Sequence, residues 1–102
     1  MSEIKNVFDM IEFPKEGVLS KTIAEKPAGE ADIFMLPKGE KISQHTSSRD
    51  AAVLILRGEA DFQLGDEWHR VKPGDWFFMD AGLPHAISSV DDLVFLLTLF
   101  GS

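Results

Sequence analysis

Few side chains in this sequence can do metal or acid–base chemistry. It has three histidines, His45, His69 and His85, and no cysteine. The lack of thiols excludes a cysteine nucleophile, a zinc finger, an iron–sulfur cluster and any disulfide. A transition metal would have to be held by imidazole, carboxylate or hydroxyl groups. Ser47 stands two residues after His45, and Asp80 precedes the Gly82-Leu83-Pro84 turn that leads to His85. His45 and His85 meet if their strands are neighbours inside a barrel. They are therefore a candidate pair for joint chemistry. His45, Ser47, His69 and His85 form the candidate ligand pocket. Beside this stands a plainer reading, in which the two histidines are hydrogen-bonded in a semi-polar pocket and His69 is a strand-edge residue. Ser47 is read on the strand, on the same face as His45, so a Ser–His nucleophile is conceivable. No oxyanion nest precedes Ser47 and no third partner orients the pair, so nucleophilic catalysis is not supported.

The elements that must position these residues read as strands. Turn signals such as Pro27-Ala28-Gly29, Pro37-Lys38-Gly39, Gly65-Asp66 and Pro73-Gly74-Asp75 recur along the chain. Their spacing of about 8–12 residues is that of an all-β sandwich or barrel. The segments 18–24, 31–36, 52–57, 60–64, 67–71, 76–79, 85–88 and 93–99 are expected strands, with a further strand carrying His45. Ala60, Phe62 and Leu64 alternate with Asp61 and Gln63, which gives one dry and one wet face. Val53–Leu56 and Val94–Leu97 are apolar on both faces, so they sit inside a sandwich or lie against a partner subunit. Ile4, Val7, Phe8 and Ile11 follow a helical spacing, which predicts a short amphipathic helix capping the barrel, with an extended segment as the alternative. The aromatics Trp68, Trp76, Phe77 and Phe78 are expected in the core or at an interface. The whole is read as one domain over 1–102, with an N-terminal segment at 1–13 and a barrel core at 31–99.

Composition narrows the partners. The 102 residues carry 10 basic and 17 acidic side chains, for a net charge of −7. That sign repels phosphate backbones and anionic lipid, so no nucleic acid and no membrane is expected as a partner. The first residues lack the apolar run of a secretory signal, and the longest apolar stretch falls well short of the ~20 residues a spanning helix needs. The default expectation is a soluble cytoplasmic protein.

From Pro37 onward the segments PKGEKISQH, VLILRGEADFQLGDE, VKPGDWFFMDAGLPH and LVFLLTL stand in an order that resembles the cupins, specifically short single-domain bacterial cupins. Gly39, Gly58, Gly74 and Gly82 match the glycine framework of the two cupin motifs. The resemblance implies a double-stranded β-helix, the jelly-roll barrel of RmlC-like proteins, and frequent dimerisation. It also implies a metal site of three histidines and one glutamate. Carried over by position, His45 is the first histidine and His85 the last. Ser47 occupies the second histidine position and Ala51 the glutamate position, so the motif is degraded. Asp80 and Ser89 also depart from it. The metal ligands the resemblance implies are thus His45 and His85, with Asp80 as the candidate third ligand.

The cupin scaffold hosts many activities, so function has to come from the site. The leading expectation is a barrel that binds a small polar or anionic molecule and has an incomplete metal site. It would hold no cofactor, or a weakly held divalent transition metal. One alternative is a metal-dependent enzyme, dioxygenase- or isomerase-like, using His45 and His85 with a non-standard third ligand. Another is a structural dimerisation domain. A homodimer is expected under all three, and whether any reaction is catalysed is left open.

Overall fold

A computed structural model describes residues 3–101. Nine strands follow a one-turn 3₁₀ helix at Val7–Met10: β1 (Leu19–Lys26), β2 (Gly29–Leu36), β3 (Lys41–His45), β4 (Ala51–Arg57), β5 (Ala60–Leu64), β6 (Glu67–Val71), β7 (Trp76–Met79), β8 (His85–Ser89) and β9 (Leu93–Phe100). All observed pairings are antiparallel. They form a five-stranded sheet in the order β1-β2-β9-β4-β7 and a four-stranded sheet in the order β3-β8-β5-β6. Long connections return strands beside distant neighbours, as in a jelly roll.

Strand alternation makes the shared core. Val53 and Ile55 of β4, Phe95 of β9, Phe62 of β5 and Ile87 of β8 point inward and are almost fully buried. Phe62 packs edge-to-face on Phe77 at 4.8 Å and on Phe95 at 5.6 Å between ring centroids. Each such pair contributes about 0.5–1.5 kcal/mol beyond the area it buries. The turns fit their residues. Gly65-Asp66 closes the hairpin between Leu64 and Glu67 with Gly65 at φ 65°. Gly58 has φ 80°, and a Cβ there would collide with the Asp92 carbonyl, so only glycine fits that turn.

The N-terminal segment departs from the expected helix cap. Only one helical turn forms, and Asn6 caps it by accepting a 2.9 Å hydrogen bond from Phe8 N. Ile4 is 98% exposed and Phe8 57% exposed, so the four-residue apolar face does not exist. Instead Val7, Met10, Ile11 and Phe13 lie on the outer face of the five-stranded sheet, over Ile33, Met35 and Val94. The segment straps one sheet rather than closing an end of the barrel. The sequence period failed because extended residues around a single turn present alternate side chains, which a helical count cannot reproduce. Of the aromatics expected in the core or at an interface, Phe77 packs against the core, whereas Trp68 and Trp76 are more than half exposed on the outer faces.

Candidate functional site

His45 ends β3 and His85 begins β8, and the two are direct cross-strand partners. Simple alternation would not give this. Ile42 faces the core opposite Ile87, so an unbroken ladder would set Gln44 opposite His85. A β-bulge between Ile42 and His45 inserts one residue and swings His45 inward instead. The imidazole rings meet edge-on, with centroids 4.1 Å apart and planes at 63°.

Each ring is anchored by the backbone. His45 Nδ1 lies 2.8 Å from the Ser43 carbonyl and His85 Nδ1 lies 2.9 Å from the Leu83 carbonyl. A carbonyl only accepts, so each Nδ1 donates there, and a neutral ring held in this way leaves Nε2 with a lone pair. Burial pushes the His85 pKa down, and the neighbouring His45 pushes the same way against the Leu83 carbonyl. His85 is thereby held neutral, so its Nε2 accepts hydrogen bonds.

The rings stand where two spaces join. Outside is a vestibule of about 420 Å³, whose walls include Ser47, Arg49, Ala51 and Asp80. Inside is a small apolar cavity of about 60 Å³ among Phe34, Val53, Phe62, Phe95 and Leu97. Ser47 lies on the loop after β3 rather than on the strand face first assigned to it, and its Oγ accepts from Arg49 N at 3.1 Å. Ala51 begins β4 on the inner face, where its methyl group offers no donor atom. Asp50, its neighbour, points away and accepts from Ala81 N at 2.8 Å, which fixes the turn before His85.

The structure does not bring His69 to this site. It lies on the edge strand β6, largely in solvent, with Nε2 3.7 Å from Glu67. Its cross-strand partner Phe62 points inward, but no strand continues the sheet beyond β6 to enclose the ring. Asp80 reaches the vestibule wall. Even so, among the described residues no set of three His, Asp or Glu side chains converges closely enough to hold an ion. Two imidazoles without a third ligand do not make a catalytic metal centre of the usual kind.

Of three charged residues missed in the sequence, Arg49 lines the vestibule and Glu30 and Asp32 stand behind it. Glu30 and Asp32 alternate onto the inner face of β2, opposite Leu99 and Leu97 of β9. Asp32 is 7% exposed, and its Oδ1 has no hydrogen-bond partner. The hydrogen bond that a protonated Glu30 donates to Asp32, then burial and the Asp32 charge, hold the Glu30 carboxyl above the usual carboxylate range. Arg49 approaches Glu30 at 3.7 Å and donates to the carbonyls of Phe100 at 3.3 Å and Gly101 at 2.6 Å. The readable signal was that Asp32 shares strand parity with the aromatic Phe34.

Comparison with known proteins agrees with this architecture. A conserved protein of unknown function from Streptococcus pyogenes is 29% identical, with a TM-score of 0.86 over 100% of this chain and 90% of its own. A cupin superfamily protein from Desulfitobacterium hafniense is 24% identical, with a TM-score of 0.88 over 100% of this chain and 94% of its own, a likeness of fold. An uncharacterised protein of Aquifex aeolicus is 24% identical over 96% of this chain and 83% of its length. The family model for the cupin domain matches residues 32–99, which hold the two histidines and strands β3 to β8 entire, and the chain therefore belongs to the cupin family.

Proposed function

We propose that this cupin binds a small polar molecule at the barrel mouth, without a tightly held metal. The observation that carries the reading is the His45–His85 pair, with both Nδ1 atoms tied to carbonyls and the buried His85 offering Nε2 as an acceptor. A neutral His85 favours a ligand that donates, such as a hydroxyl compound, over one that needs a cation. Ser47 and Arg49 add polar partners from the vestibule wall, and the inner cavity has room for a group about the size of a methyl. An anionic ligand would draw on Arg49 alone, and Glu30 already offsets part of that charge.

Elemental analysis of protein purified without chelator tests the reading. We expect a divalent metal well below one equivalent. A stoichiometric ion that disappears in His45→Ala would overturn it and favour the metal-dependent enzyme. The anchored Nδ1 atoms keep that second reading in view, because metal-bound histidines are commonly oriented in this way.

A homodimer is proposed as the working state. Leu54, Leu96, Trp76 and Phe78 share the outer face of the five-stranded sheet beyond the N-terminal strap. Light scattering at micromolar concentration checks it, and a monomer mass refutes it.

A further inference from the structure

The outer face of the four-stranded sheet carries a second concave feature, independent of the barrel mouth. A shallow trough of about 710 Å³ crosses it. In one row Lys41 pairs with Ser88, Ser88 with Asp61, and Asp61 with Arg70. In the next row Ala86 pairs with Gln63, and Gln63 with Trp68. Ala86 and Ser88 on the inner strand β8 are small and make the floor. Trp68, 56% exposed, forms the wall on β6, and Ser43 and Gln44 form the wall on β3. The wall-to-wall span is three strand spacings, about 14 Å.

The amides on this face are oriented by their own bonds. Gln63 Nε2 donates to the Gly65 carbonyl at 2.9 Å and to Gln44 Oε1 at 2.8 Å. The Gly65 carbonyl cannot donate, so the Gln63 amide cannot be reversed, and Gln44 must then present Oε1 to it. This uses both Gln63 hydrogens. Gln63 Oε1 and Gln44 Nε2 are left over, a fixed acceptor beside a fixed donor. The bulge that turns His45 inward is also what leaves Gln44 on this outer face.

We propose that the trough is a saccharide-binding site, with Trp68 as the stacking platform and Gln63 Oε1 and Gln44 Nε2 engaging neighbouring sugar hydroxyls. A sugar ring has an apolar C–H face and a rim of hydroxyls, each able to donate and accept. The Trp68 ring supplies a flat apolar surface at low entropic cost. The oriented amide pair matches a vicinal diol, and the Ser43 and Ser88 hydroxyls lie along the same trough. Nucleic acid, the other common ligand of exposed aromatics, is disfavoured by the net charge of −7. Arg70 is bound to Asp61 at 2.7 Å, so it does not offer a bare phosphate site. The span across the sheet suits a disaccharide.

The test is an NMR titration of the full chain with cellobiose and with maltose, following ¹⁵N-bound protons. Saturable shifts are expected at the Trp68 indole N–H and at the Gln44 and Gln63 side-chain amides, with His45 and His85 undisturbed. Trp68→Ala abolishes them, Trp68→Phe keeps weaker binding, and Gln63→Leu lowers affinity by about tenfold, the effect of one lost hydrogen bond. Backbone amide spectra establish that each variant is folded. No shifts with either sugar at tens of millimolar, shifts that survive Trp68→Ala, or shifts confined to the barrel mouth would each overturn the proposal. Failure here leaves the mouth reading intact, because the two are read at different residues.

Discussion

The five-stranded sheet turns Leu54, Leu96, Trp76 and Phe78 outward, whereas the four-stranded sheet turns Lys41, Ser88, Asp61, Arg70 and Gln63 outward. Their inner faces are alike and interlock in one core. The contrast lies in what each outer face demands. An apolar outer face loses free energy to water at about 25 cal/mol per Å² and needs cover. The N-terminal strap supplies part of it over Ile33, Met35 and Val94. The polar outer face needs none and is free to meet small solutes. The sheets also differ near the mouth, where the five-stranded sheet sets Glu30 against Arg49 of the vestibule wall and the four-stranded sheet brings His45 and His85.

The largest expected effect breaks this contrast at its apolar side. Leu96→Arg puts a charge into the proposed dimer face and costs several kcal/mol there, so light scattering should report a monomer. The matched change Gln63→Arg, on the polar outer face, should leave the dimer intact. Equal behaviour of the two variants would remove the distinction between the faces.

Next in size is the strap. Phe13→Ala removes a half-buried ring that packs on the outer cluster and carries a cation–π contact with Arg57 at 5.2 Å. The expected loss is about 2 kcal/mol in urea unfolding, below the ~3–5 kcal/mol of a fully buried Phe→Ala. An unchanged midpoint would mean that the segment does not contribute to the stability of the sheet.

Sequence reading reached the strands and the pairing of the histidines for different reasons. Strands were legible because Gly and Pro turns punctuate the chain and alternate residues are apolar, as in Ala60–Leu64. The side of the sheet was legible only where the ladder is regular. His45 shows the limit: its parity relative to Ile42 is wrong for an inward residue, and a bulge corrects it. Bulges leave no mark in a period-two pattern. Ser47 was placed on a strand that in fact ends at His45, because hydroxyl residues suit strands and loops alike. Asp32 was passed over because one acid in an apolar strand reads as a solvent-facing position. Whether it is buried depends on β9, more than sixty residues away in the chain.

Asp32→Asn sharpens the comparison at the five-stranded side of the mouth. Glu30 is held above the usual carboxylate range, so its protonated form is favoured in the fold. A group raised in this way stabilises the fold at acid pH and loses that contribution as pH rises through its folded value. Removing the Asp32 charge should raise Tm by a few degrees at pH 7, with the difference fading as pH falls and Glu30 takes up its proton. An equal or lower Tm at pH 7 would show that the pair is not under electrostatic strain.

The four-stranded side should respond with the opposite slope. The folded pKa of His85 is depressed, chiefly by burial, below the unfolded value of about 6.5. The unfolded chain therefore takes up the proton first, and stability falls as pH drops from about 6.5 through the folded value. Above 6.5 the group contributes no slope. His85→Gln keeps a polar side chain without the titration, so its Tm should be flatter over this window than that of the parent protein. This is the smallest of the four effects, because one partly hydrated ring is involved, and the Leu83 carbonyl bond works against the shift. It is also the most informative about the mouth. The same proton occupies the Nε2 lone pair assigned to the ligand, so ligand binding must weaken over the window in which the slope appears. A slope without a loss of binding would separate the histidine pair from recognition.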